Sequence, residues 1–218
     1  MRDLGRRTGP VLWLVSAQYF AVQVVVAGDW ADGYSWSANL ISDLGNTACR
    51  RYDGRPVCSP LHVLMNASFV VLGLTMLAGA ILISRALAGD RTSRAAFACL
   101  GVAGVGTVVV GLFPENAIAG LHQAGAALPF VLGNLGVLLL GISPTDLPDP
   151  VRRLTLLGGV VGLVGLVLFV SHTHVGLGAG GIERVAAYPQ DVWMIGFAGY
   201  LLVRAPRAGI DARLGAGR

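Results

Sequence analysis

Six apolar stretches separated by polar connections organise the chain: Pro10–Gly28, Leu61–Ser84, Ala95–Phe113, Gly120–Ile142, Leu154–Ser171 and Asp191–Val203. A helix that crosses the hydrocarbon core needs about 20 apolar residues, somewhat fewer when it is short or tilted. The pattern therefore predicts an all-α fold, a polytopic transmembrane helical bundle of six spans in a single domain, with Asp191–Val203 the shortest span. Arg2, Arg6 and Arg7 ahead of the first stretch imitate a secretory signal. The apolar run nevertheless passes, without a small-x-small cleavage site, into an aromatic and acidic loop over residues 29–60, so it reads as a retained span. Gly101, Gly104, Gly106 and Gly111 in the third stretch, and Gly158, Gly159, Gly162 and Gly165 in the fifth, predict close helix approach in lipid. Gly133 and Gly141 add nothing more specific, and no glycine-rich turn follows a strand or ends in Lys-Ser/Thr as a phosphate loop would.

Composition points the same way. Hydrophobic residues make up 54% of the 218 and charged residues 13%, with a mean hydropathy of +0.67, too apolar for a water-soluble domain to cover its surface. Membrane lipids are the expected partner. The net charge of +4 does not point to nucleic acid, because the basic residues, all Arg, are scattered over the connections and form no stripe on one face. Alternating the connections puts Arg2, Arg6, Arg7, Arg85, Arg91, Arg94, Arg152, Arg153, Arg204, Arg207, Arg213 and Arg218 on one side, against Arg50, Arg51, Arg55 and Arg184 on the other. That asymmetry predicts cytoplasmic N and C termini. Cys49 and Cys58 then lie in an outer loop, where a disulfide persists; two free thiols or half of a metal site are the alternatives. Cys99, inside an apolar run, reads as a small buried hydrophobe.

On this topology the outer side collects Asp29, Asp32, Asn39, Ser42, Asp43, His62, Asn66, Glu115, Asn116, His122, His172, His174, Glu183, Arg184, Tyr188 and Asp191. Ionisable groups near span ends usually face a cavity, a partner or water. His62 and Asn66 are four residues apart and share a helical face, while Glu115 and His122 flank one short connection; with Asp43 they are the candidate site. Three readings stand open. A metal would need three or four convergent ligands from Asp43, His62, Glu115 and His122, although no HExxH-type motif is present. An Asp–His or Glu–His pair suits general acid–base work. The plainest reading has these groups capping helices and tying the outer loops together. The spacing of His172 and His174 does not put both rings on one helical face, so they read as loop residues. Glu183 and Arg184 are expected to pair with charges of the first loop, and Trp30, Tyr34, Trp36, Tyr188 and Trp193 to anchor at the membrane interface.

The run Tyr34-Ser35-Trp36-Ser37-Ala38-Asn39-Leu40-Ile41-Ser42-Asp43-Leu44-Gly45, with Cys49, Cys58-Ser59-Pro60-Leu61-His62 and Met65-Asn66-Ala67-Ser68-Phe69, resembles the bacterial membrane family catalogued as domain-of-unknown-function family 998. Gly111-Leu112-Phe113-Pro114-Glu115-Asn116 with His122, Gly133-Asn134, and Glu183-Arg184 ahead of Tyr188-Pro189 extend the likeness from about Val11 to Val203. The resemblance implies a six-span protein of the bacterial cytoplasmic membrane and carries over no activity. It draws attention to Asp43, His62, Asn66, Glu115, Asn116, His122, Glu183 and Arg184, which stand at its motif positions.

The leading expectation is an enzyme acting on a lipid or isoprenoid substrate in an outward-opening cavity. Asp43 and Glu115 would be its acid–base carboxylates, His62 and His122 would orient them or share their protons, and Asn66, Asn116, Glu183 and Arg184 would assist binding. Cyclisation of a prenyl chain is one variant, weakened by the low aromatic content of 7%. A small-solute or proton-coupled transporter or channel is the alternative, and a scaffold or sensor a third. Cofactor and metal content stay open.

Overall fold

The computed structural model describes residues 2–215, with side chains described over residues 7–204. Eight helices carry nearly all of it: α1 Arg2–Val15, α2 Gln18–Gly28, α3 His62–Leu87, α4 Arg91–Leu112, α5 Ala119–Leu128, α6 Asn134–Ile142, α7 Asp149–Val170 and α8 Gly178–Gly215. Two of the predicted spans are interrupted. α1 and α2 form the first, broken at Ser16 and Ala17; α5 and α6 form the fourth, joined by the π-helical turn Pro129–Gly133. Proline at 129 has no N–H for the i→i−4 ladder, which accounts for the wider turn there.

Five segments are long and apolar enough to cross a membrane among the described residues: Arg7–Gly28, His62–Leu87, Arg91–Leu112, Ala119–Ile142 and Asp149–Val170. The expected sixth span does not stand alone. Asp191–Val203 is the middle of the continuous helix α8, which begins at Gly178 and carries Glu183, Arg184 and Asp191. These charged residues do not end the helix because their side chains turn inward and are buried. The outward faces are apolar, with Val24, Val63, Val105, Leu154, Val167 and Val170 all exposed, as expected of a multi-pass membrane protein whose solvent is lipid.

The bundle is packed through glycine. A Cβ on Gly73 would stand 2.4 Å from the Gly104 carbonyl oxygen and one on Gly104 2.7 Å from that of Gly73, so α3 and α4 touch backbone to backbone. α1 lies on α3 and α8, and α7 lies between α6 and α8. At the end holding both termini the interior is aromatic: Trp13 packs on Phe97, Trp193 and Phe197, and Trp193 stacks on Phe197. The indole N–H of Trp13 donates to the Met76 carbonyl (3.1 Å) and that of Trp193 to the Thr155 hydroxyl (2.9 Å), so both buried donors are satisfied. Trp193 is thus a core residue and not an interfacial anchor. Cys99 is half-buried and free.

At the opposite end, the connections 29–61, 113–118 and 171–177 meet. The first holds the antiparallel hairpin β1 Arg50–Tyr52 and β2 Arg55–Val57, turned by Asp53-Gly54, whose φ values of 47° and 78° suit an Asp-Gly turn. The disulfide Cys49–Cys58 closes the hairpin base.

Candidate functional site

Arg184 on α8 fastens the outer loop to the bundle. Its Nη1 donates to the carbonyls of Trp36 (2.9 Å), Asn39 (3.0 Å) and Gly180 (2.8 Å), its Nε to the Tyr188 hydroxyl (3.2 Å) and its Nη2 to the Tyr34 hydroxyl. The guanidinium also lies 4.9 Å from the Trp36 ring centre and 5.5 Å from that of Tyr34. Gly180 lets the loop come this close: its N–H donates to the Ser37 carbonyl (2.8 Å), and a Cβ there would meet the Asn39 oxygen at 2.0 Å. Next to it, Glu183 Oε2 accepts the Ile41 backbone N–H (2.5 Å). Glu183 and Arg184 therefore bind the loop through its backbone, where charge pairing was expected, and Tyr34 and Trp36 hold the guanidinium.

Under this strap lies a pair of carboxylates. Asp43, fully buried, accepts from Arg55 Nε and Nη2 (3.1 Å each), from the Leu40 N–H (2.8 Å) and from Asn39 Nδ2 (3.3 Å). Glu115 lies beside it, taking hydrogen bonds from Ser42 Oγ (2.8 Å) and Asn46 Nδ2 (2.6 Å). Burial, the largest cause, pushes the Glu115 carboxyl up to about 8; the Asp43 charge adds to the rise and the Ser42 hydroxyl opposes it. Glu115 is thus protonated at neutral pH, while Asp43 carries the charge that Arg55 neutralises.

The other expected residues separate. Asn66 Nδ2 donates to the Gly45 carbonyl (2.9 Å), and Asn116 exchanges hydrogen bonds with the backbone N–H (3.1 Å) and hydroxyl (3.0 Å) of Thr47. His62 opens α3 with Nδ1 donating to the Ser59 carbonyl (2.9 Å), and among the described residues no hydrogen bond joins it to Asp43 or Glu115. His122 Nδ1 donates to the Phe113 carbonyl (2.9 Å), which fixes the ring and leaves Nε2 as its remaining polar site. Among the described residues, no group of three or more His, Cys, Asp or Glu is arranged to hold a metal ion.

His122 borders a cavity of about 60 Å³ beneath the loop, room for a few water molecules. Its polar lining comes from Tyr19, Ser42, Thr107, His122, Glu183, Gln190 and Asp191, and its apolar lining includes Phe69, Leu72, Val110, Pro129 and Phe130. Asp191 is only 3% exposed and its Oδ1 has no hydrogen-bond partner among the described residues. It is the residue that sequence reasoning passed over. Asp191 was legible only as an acid at a span end, and the one usable signal was its i+8 spacing from Glu183, which places both on one face of a continuous helix. Gly133 matters here too, since a Cβ would collide with the Gln190 side chain that fills its place.

Among the described residues α5 packs chiefly on α4, whereas α6, past the π-helical turn, packs on α4 and α7. Toward the termini, the Trp13, Phe97, Trp193 and Phe197 cluster fills the interior.

No curated protein and no solved structure matches the chain. The model of the family described as protein of unknown function (DUF998) matches residues 14–200, so that the strap, the carboxylate pair and the cavity all lie within the matched region, and the chain belongs to that family.

Proposed function

We propose that the protein is a membrane-embedded enzyme performing acid–base chemistry on a lipid or isoprenoid amphiphile that enters from the bilayer, with His122, Glu183 and Asp191 as its proton-handling groups. The observation that carries this reading is the cavity itself, which brings three ionisable side chains together with an apolar lining inside the bundle. A head group of a few heavy atoms would fit among the polar side chains, with the amphiphile's chain running past Phe69, Leu72 and Phe130 toward the bilayer. The aromatic packing toward the termini favours a one-ended site over a through-passage. The arginine asymmetry and the Cys49–Cys58 disulfide support placing the loop end on the non-cytoplasmic face of a bacterial cytoplasmic membrane.

Asp43 and Glu115 take a different part in this scheme from the one the motif positions suggested. Both oxygens of Asp43 are committed to Arg55 and the loop, so Asp43 positions the roof. Glu115 reaches the cavity through Ser42, which lines it. The experiment is reconstitution of the protein in liposomes of total bacterial lipid, followed by lipid mass spectrometry. Wild type should deplete one lipid class, and His122→Gln, Glu183→Gln and Asp191→Asn should each slow that by about 10²-fold or more. An unchanged lipid profile with wild type, or equal turnover by all three variants, overturns the reading.

One feature favours transport as a second reading. The fourth span is interrupted at Pro129–Gly133, with Asn134 buried beneath, and interrupted spans often build solute sites. Proton or amine flux into the same liposomes, abolished by Asp191→Asn without lipid turnover, would select it.

A further inference from the structure

We propose that the cavity is built for an amine-headed amphiphile, with the ammonium group held by Asp191 and Glu183. The proposal rests on the cavity being a ligand site, as argued above, and adds the chemical class of the head group.

Among the described residues the lining leaves more acceptors than donors uncommitted, its free donors being the Tyr19 hydroxyl and the Gln190 amide N–H2. The Ser42 hydroxyl is committed to Glu115 and that of Thr107 to the Ala103 carbonyl (3.0 Å). The cations nearby are committed as well. Arg184 is occupied by Trp36, Asn39, Gly180, Tyr34 and Tyr188, Arg55 binds Asp43 and Asp53, and neither borders the cavity. His122 has its Nδ1 committed to Phe113. On the acceptor side, Asp191 Oδ1 and Gln190 Oε1 are buried without partners, and Glu183 meets only the Ile41 N–H through Oε2.

A buried acceptor left without a donor costs free energy, and a carboxylate does so most. The matching ligand group therefore brings donors and positive charge. An ammonium has three N–H donors and no acceptor, whereas a phosphate or carboxylate head would face two acidic side chains with no cation bordering the cavity. The apolar lining residues Phe69, Leu72 and Phe130 would meet the first carbons of the alkyl chain. A diphosphate-bearing isoprenoid is thereby disfavoured as ligand.

Dicyclohexylcarbodiimide, an apolar reagent that attacks carboxyl groups accessible from lipid, gives a direct test on the detergent-purified wild-type chain. Peptide mass spectrometry should find it on Asp191. Decylamine should slow that labelling by about tenfold or more, while decanol and decyl phosphate leave it within about twofold. Direct binding of radiolabelled decylamine should weaken by a similar factor in Asp191→Asn, with elution on size exclusion reporting that the variant is folded. Labelling of Asp191 that decanol or decyl phosphate blocks as well as decylamine, or that no amphiphile blocks, overturns the amine assignment and leaves the cavity reading standing. Absence of label from Asp191 overturns both.

Discussion

Arg55 grips Asp43 through paired bonds, Nε to Oδ2 and Nη2 to Oδ1, both 3.1 Å, with the carboxylate fully buried and the guanidinium one-fifth exposed. The pair joins the disulfide-closed hairpin to the segment that roofs the cavity. Breaking a buried pair by removing one partner strands the other charge, and here Arg55 keeps exposed Asp53 as a second partner. Asp43→Asn should therefore cost about 2–3 kcal/mol, read as a lowered Tm in detergent and faster proteolysis within residues 29–60. An unchanged Tm would show that the pair does not hold the roof.

Glu115 should make the loop end pH-sensitive. Its carboxyl stands at about 8 in the fold against 4.5 for a free glutamate, so between those values the folded chain binds more protons than the unfolded chain. By linkage the stability from this group is complete below about pH 4.5 and is lost as pH rises through about 8. Wild-type Tm should fall between pH 5 and pH 8.5 through this contribution, on the order of several degrees, and Glu115→Gln should flatten the profile. A variant that retains the wild-type slope would place the titration elsewhere.

Reduction of Cys49–Cys58 should loosen the hairpin without dismantling the bundle. The cross-link closes a short loop, for which chain entropy gives about 2–3 kcal/mol. Added reductant should speed proteolysis near Arg50–Val57, while helical content measured by circular dichroism stays the same. Loss of helix on reduction would contradict the separation of loop and bundle.

Arg184→Lys should undock the strap although the charge is kept. A lysine ammonium has three donors and no plane to lay on Trp36, whereas Arg184 reaches three carbonyls and two hydroxyls at once. Hydrogen exchange over Tyr34–Ile41 should rise by about tenfold or more if two or more of these bonds are lost. Exchange equal to wild type would mean that the loop docks without the guanidinium.

Gly104→Ala should separate α3 from α4. The added Cβ would stand 2.7 Å from the Gly73 oxygen and 2.8 Å from the Leu77 nitrogen, atoms of backbone that cannot turn aside. A cost of about 1–3 kcal/mol is expected, seen as a lowered Tm, whereas Gly196→Ala, with nothing within 4 Å of the new atom, should be neutral. Equal effects at the two sites would rule out close packing as the reason for glycine at 104.

The sequence by itself determined the solvent, the all-helical class, five of the spans and the side on which the polar groups gather, because these follow from local properties: runs of apolar residues, their length, and arginine in the connections. It also brought Asp43, Glu115 and His122 to one end of the bundle. Their separation into roof and cavity depended on contacts between distant segments. Asp43 is spent on Arg55, His62 is turned to Ser59, and Asp191 is left unpartnered, through packing among α2, α3, α4, α5 and α8 that no local pattern encodes. The same holds for the sixth predicted span, where Glu183, Arg184 and Asp191 looked like the border of a span and lie inside α8. A charged residue ends an apolar run in sequence, but in the fold it continues the helix when distant backbone groups are there to receive it, as Trp36, Asn39 and Ile41 receive Arg184 and Glu183.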